Sequence, residues 1–97
     1  MLSNSLRILV PNGGESWEIG TRQKIIWEST LFDDVEIKLY KGTVLFRVLE
    51  YTYVNAGIYE WLIPNDVTVS DRYKVRIFAK NNSAGDDTSD EFFSIID

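Results

Sequence analysis

The chain has no cysteine and no histidine among its 97 residues, and only two prolines and one methionine. Without cysteine no disulfide can hold the fold, so a hydrophobic core has to; the redox compartment stays open, because a secreted domain with an adequate core needs no bridge. Without histidine the commonest general base and metal ligand is missing, and any catalysis would have to run on carboxylates, Lys or Tyr. Basic residues are scarce as well. Ten Lys and Arg against fifteen Asp and Glu give a formal charge of −5, the wrong sign for nucleic acid or an anionic membrane surface. No apolar run approaches the ~20 residues of a membrane span, and Met1-Leu2-Ser3-Asn4 lacks the charged start and apolar stretch of a signal peptide. These absences predict a non-enzyme with no cofactor, no nucleic-acid partner and no direct membrane insertion.

Aromatic side chains are plentiful: three Trp, five Tyr and five Phe. Each ring can remove about 150–250 Å² from water, and a chain of this length buries roughly 60–70% of its unfolded surface, enough for one core. Apolar residues recur with a period of two in short runs separated by Gly, Pro, Asn and Asp, the pattern of half-buried strands. Strands are predicted at residues 6–10, 16–19, 23–28, 35–41, 43–54, 57–63, 72–80 and 91–96. Val35, Ile37 and Leu39 alternate with Glu36, Lys38 and Tyr40, giving that strand one apolar and one polar face. Tyr73, Val75, Ile77 and Ala79 form another inward set, as do Tyr59, Trp61 and Ile63, and Lys41-Gly42 marks a hairpin. Many short strands at this length pack most economically as two sheets face to face. The expected fold is an all-β, immunoglobulin-like or fibronectin-III-like antiparallel β-sandwich of seven to eight strands. Residues 1–97 are read as one module with its core at about 6–96, excised from a larger protein.

The segment Pro11-Asn12-Gly13-Gly14-Glu15-Ser16-Trp17 joins turn chemistry to a bulky anchor. Pro11 cannot donate to a sheet ladder, and Asn12-Gly13-Gly14 tolerates positive φ, so the chain should leave one sheet here and enter the other. Gly-Gly can also form an anion-binding nest, but no strand-to-helix context follows and Glu15 would repel a phosphate. Trp17 and Trp27 are expected in the core near each other; Ile19 on the face of Trp17 argues against an exposed sugar platform.

Pro11-Asn12-Gly13-Gly14-Glu15-x-Trp17, then Ile26-Trp27, Val35-x-Ile37-x-Leu39-Tyr40, Gly57-x-Tyr59-x-Trp61-x-Ile63-Pro64, Tyr73-x-Val75-x-Ile77 and Asp87-x-Ser89-Asp90-x-x-Phe93-Ser94-Ile95 together carry a family resemblance. In order and spacing they resemble the immunoglobulin-like domain shared by Ser/Thr-rich glycosylphosphatidylinositol-anchored fungal wall proteins, KNH-like glucan-assembly proteins and modular secreted or surface proteins of bacteria and archaea. The resemblance runs from about Leu6 to Ile95. It implies an extracellular or cell-surface sandwich module, non-catalytic, acting as spacer, scaffold or adhesion surface, and it carries no catalytic residue over to any position. No Ser/Thr-rich tail or lipid-attachment signal accompanies it, so membrane anchoring is not implied. Expected partners are neighbouring domains of the same chain or another surface protein, with polysaccharide as a further candidate.

Candidate sites lie on the surface. Between Thr43 and Val54, Val44, Phe46 and Val48 occupy one face and Leu45, Leu49, Tyr51 and Tyr53 the other. A regular edge strand would leave Tyr40, Leu45, Leu49, Tyr51 and Tyr53 as an apolar, aromatic strip for a protein partner or for stacking sugar rings, which makes an accessory carbohydrate-binding module the alternative function. A β-bulge near Glu50 would instead swap the parity and remove the strip, and this arrangement is the one we expect. Asp86, Asp87, Asp90 and Glu91 crowd one turn with Asn81 and Asn82. Ca²⁺ takes six to eight such oxygens, but the spacing fits no EF-hand loop, and a solvated turn is expected with no metal. Arg72, Lys74 and Arg76 share an outer strand face that could dock an acidic polymer or simply pair across strands with Glu36 or Glu60. Asn81-Asn82-Ser83 fits the N-glycosylation pattern.

Overall fold

The computed structural model describes residues 5–81 and 84–97. Among them nine strands form: β1 (Leu6–Val10), β2 (Ser16–Glu18), β3 (Arg22–Ser29), β4 (Val35–Lys41), β5 (Val44–Tyr53), β6 (Ile58–Leu62), β7 (Ser70–Ala79), β8 (Asp86–Thr88) and β9 (Phe93–Ile96). The smaller sheet has the order β1-β3-β6, and the larger runs β2-β9-β7-β4-β5 with β8 also paired to β7. β4 covers one side of β7, so β8 and β9 share its other side, opposite Arg76–Phe78 and Ser70–Tyr73 respectively. The sandwich is the immunoglobulin-like or fibronectin-III-like one the sequence predicts, with one strand more than the expected seven or eight. The additional strand, β8, has no apolar alternation to betray it; Asp86-Asp87-Thr88 falls between the predicted strands 72–80 and 91–96, where a polar loop is expected, and becomes strand only because the free edge of β7 supplies its hydrogen bonds. Of the rest of that turn, Asn82 and Ser83 lie outside the described residues.

The period-two pattern fixes which face is buried. In β7, Tyr73, Val75 and Ile77 are fully buried while Arg72, Lys74, Arg76 and Phe78 face outward; in β4, Val35, Ile37 and Leu39 do the same. Leu6, Ile8, Ile25, Trp27, Trp61 and Ile63 meet them from the smaller sheet in one continuous core. Trp61 is buried as expected, whereas Tyr59, predicted inward with it, is half-buried. Trp17 and Trp27 both join the core, but their rings have other neighbours. Trp17 packs on Phe93 and Trp61 at centroid distances of 5.1 and 6.5 Å, and Trp27 on Tyr53 at 6.5 Å. Position along the strands separates them: Trp17 meets the smaller sheet at Trp61, which lies across from Gln23 near the start of β3, whereas Trp27 stands farther along β3, across from Ile8.

That switch occurs at Pro11–Gly14. β1 pairs antiparallel with β3, and after the corner β2 pairs with β9, in parallel, within an otherwise antiparallel structure. Gly13 has φ 148 and Gly14 φ 83, and a Cβ at Gly13 would come within 2.6 Å of the Glu91 Cβ, so both conformation and space demand glycine there. The possible anion nest is filled from within: the Glu15 carboxylate accepts the Asn12 and Gly13 amides, each at 2.9 Å. Gly42, with φ 63, opens the two-residue turn between Lys41 and Val44 and confirms the expected hairpin.

The chain enters and leaves at opposite ends. Ser5 bonds Thr30 and Ala84 beside the β3–β4 and β7–β8 connections. Ile96 accepts the Ile19 amide, and Gly20 donates to Ile63, at the end where β3 begins. The molecule measures 40 Å along its longest axis, against 24 and 20 Å across.

Candidate functional site

The two-faced segment at the edge of the larger sheet resolves by bulging. Along β4 and β5 the register shifts three times, between Val35 and Ile37, Ile37 and Lys38, and Leu39 and Tyr40, with the extra residues on β5. Each shift rotates the following side chains. As a result Phe46, Leu49 and Tyr53 all turn toward the core, although simple alternation would put Phe46 opposite the other two. The predicted strip is therefore divided. Leu49 and Tyr53 pack inward, Tyr53 edge-on to Tyr59 at 4.9 Å, so they do not form one outward surface with Tyr51 and Leu45. Tyr51 (70% exposed) and Leu45 (45% exposed) stay outside. Tyr40 is half-buried on β4, aligned with Leu45 on one side and Lys74 on the other. Tyr59 donates to Glu50 at 3.0 Å; burial first, then that hydrogen bond, push its phenol up to about 12.

On the outer face of the larger sheet, an open groove of about 580 Å³ is lined by Tyr40, Gly42, Thr43, Lys74, Arg76, Asp86, Asp87 and Thr88. Strand pairing builds it: Tyr40 lies opposite Lys74, Arg76 opposite both Lys38 and Thr88, and the β4–β5 turn forms one wall. Arg76 grips Asp86 through two hydrogen bonds of 2.9 and 2.7 Å, which hold the Asp86 carboxyl below its ordinary value. Arg72 and Lys74 both stand over the Phe92 ring, at 4.6 and 4.9 Å from its centroid, and Lys74 also donates to the Asp90 carbonyl. The sequence suggested cross-strand pairing of Arg72, Lys74 and Arg76 with Glu36 or Glu60. Instead Glu36 is taken by Lys38 and Lys80, and Glu60 lies across from Lys24 in the other sheet.

The acidic turn is spent on structural bonds. Besides Asp86, Asp87 accepts the Ile8 amide at 2.8 Å and ties β1 to β8, while Asp90 and Asn12 exchange two hydrogen bonds. Among the described residues no three acidic side chains converge as metal ligands. Asn81 of the glycosylation pattern is exposed. Two surface features escaped the sequence reading. Phe32 stands fully exposed at the pole where the chain enters, and Leu9, Ile58 and Leu62 lie exposed on the outside of the smaller sheet. The position of Phe32 between two strands, in Leu31-Phe32-Asp33-Asp34, is the one signal that could have flagged it.

Two sheets, a shared core and a first strand divided between the sheets define an immunoglobulin-like β-sandwich module. The model of the Kre9/KNH-like N-terminal Ig-like domain matches residues 10–95, and the chain belongs to that family. Among solved structures it is similar to the fibronectin(III)-like modules of CbhA from Clostridium thermocellum, with a TM-score of 0.53 at 10% identity, covering 95% of this chain and 99% of that one. That likeness shows the fold alone. A search of curated proteins returns no match.

Proposed function

We propose that this chain is one non-catalytic module of a larger secreted or cell-surface protein, where it acts as a spacer or scaffold between neighbouring domains. The observation that carries the reading is the entry and exit of the chain at opposite ends of β3, beside Thr30 and beside Ile19, in a molecule 40 Å long and 24 by 20 Å across, the geometry that adds length when modules follow one another. Phe32 at one pole, and Val69 and Ile96 at the other, offer neighbouring modules exposed apolar contacts. The family description, an N-terminal Ig-like domain, fits a part within a longer protein. A tandem of two copies joined from Asp97 to Met1 should scatter X-rays as an extended rod about twice as long as one copy. A folded-back particle would sink the spacer reading.

A second reading, accessory carbohydrate binding by stacking, is favoured by one specific observation, the 70% exposure of Tyr51 on the edge strand. Retention on insoluble glycans that disappears in Tyr51→Ala with an unchanged melting midpoint is the outcome it requires.

A further inference from the structure

The geometry points to the Tyr40–Lys74–Arg76 groove and the adjoining Arg72 as a docking site for a carboxylate-bearing polysaccharide. The proposal does not rest on the spacer reading, and its site is distinct from Tyr51. Three observations meet there. The first is charge segregation. In a chain whose acids outnumber its bases by fifteen to ten, Lys38, Arg72, Lys74, Arg76 and Lys80 all stand on the outer face of the larger sheet. The second is the state of those cations. Lys38 and Lys80 share Glu36, and Arg76 holds Asp86, but among the described residues no carboxylate pairs with Arg72 or Lys74. These two are instead fixed against Phe92, which orders them without neutralising them.

The third is shape. Arg72, Lys74 and Arg76 rise from one strand face at two-residue intervals, about 6.6–6.8 Å apart, a row suited to an extended polymer with a charge on each unit. Beside the row, the groove of about 580 Å³ falls within the roughly 300–1,000 Å³ of small-ligand sites. It presents a Tyr40 ring for an apolar sugar face and Thr43 and Thr88 hydroxyls for sugar hydroxyls, and its two carboxylates are already engaged, Asp86 by Arg76 and Asp87 by the Ile8 amide. A protein partner would meet a poorer match, because the buried cores of protein interfaces are depleted in charged residues. Lys74 and Arg72 supply charge-assisted hydrogen bonds to carboxylates, and Arg76, already oriented by Asp86, lines the floor.

The test is affinity electrophoresis and calorimetry of the 97-residue chain with polygalacturonate, its fully methyl-esterified form and polyglutamate. The expected result is binding to polygalacturonate that weakens with added salt and is lost on esterification. The Arg72→Ala/Lys74→Ala double variant should bind at least about tenfold more weakly, since each lost charge-assisted contact is of the order of tenfold. Arg22→Ala/Lys24→Ala, on the other sheet, and Tyr51→Ala should bind as the parent does. Equal binding to the ester overturns the proposal, as does equal binding to polyglutamate, which would make the ligand an acidic peptide. No binding to polygalacturonate overturns it too, as does unchanged binding by an Arg72/Lys74 variant that melts like the parent. Should the double variant fail to fold, Lys74→Gln alone and the salt dependence of the parent decide the same question.

Discussion

Ser89 is one of two buried polar side chains among the described residues, and its hydroxyl closes a joint between three segments. It donates to the Pro11 carbonyl at 2.7 Å and accepts the Val75 amide at 3.1 Å, so the corner, β7 and the link from β8 to β9 meet on one oxygen. Ser89→Ala strands that amide and carbonyl in a dry interior. We predict a loss of about 1–3 kcal/mol, read from urea titration. Asp86 supports a second prediction. Its folded pKa lies below the ordinary 3.8, chiefly through its hydrogen bonds to Arg76. The stability it contributes is therefore fully present above about 3.8 and is lost as pH falls through the lower folded value. The parent should exceed Asp86→Asn in stability at neutral pH, and the gap should close in strong acid. A gap independent of pH would show that the ion pair contributes nothing. With side chains 33% and 41% exposed, solvent screening keeps the difference small.

At the scale of the element, β5 shows how a strand can violate alternation without exposing a core. Its three register shifts bring Phe46, Leu49 and Tyr53 inward together, and the same bulges roughen an edge that would otherwise template pairing with another chain. The contrast between neighbouring leucines tests this parity. Leu49→Glu places a charge against the core and should cost about 2 kcal/mol or more, whereas Leu45→Glu should stay within about 0.5 kcal/mol. Thermal melting of the two variants measures the difference, and equal midpoints would contradict the register. The sequence foresaw a bulge near Glu50 but not its repetition, because each slip is set by pairing with β4 and leaves no residue signature in Leu45-Phe46 or Val48-Leu49.

For the whole molecule, the last strand closes the sandwich. β9 pairs with β2 on one side and β7 on the other, and its Phe93 and Ile95 are fully buried. Removing residues 93–97 should abolish cooperative unfolding in calorimetry, since β2 would lose its only strand partner among the described residues and Trp17 its Phe93 contact. A truncated chain that still melts in one sharp transition would mean that the smaller sheet and β4–β7 fold without closure. The same global arrangement collects cations from β4 and β7 on one outer face, although they lie far apart in an acidic chain.

By itself the sequence determined the class of fold, most strand positions and nearly the whole buried set, because a period of two on strands such as β4 and β7 tells each side chain its face. It also located the sheet switch, since Pro11 and two glycines have few other uses in a strand context. Tertiary structure alone decided three things. It made Asp86–Thr88 a strand by lending it the edge of β7, and it turned Leu49 and Tyr53 inward through slips against β4. It also set Arg72 and Lys74 around Phe92 in place of the expected glutamates. In each case the deciding contact joins residues from different strands, and local pattern carries no information about which partner a strand edge or a long side chain will meet.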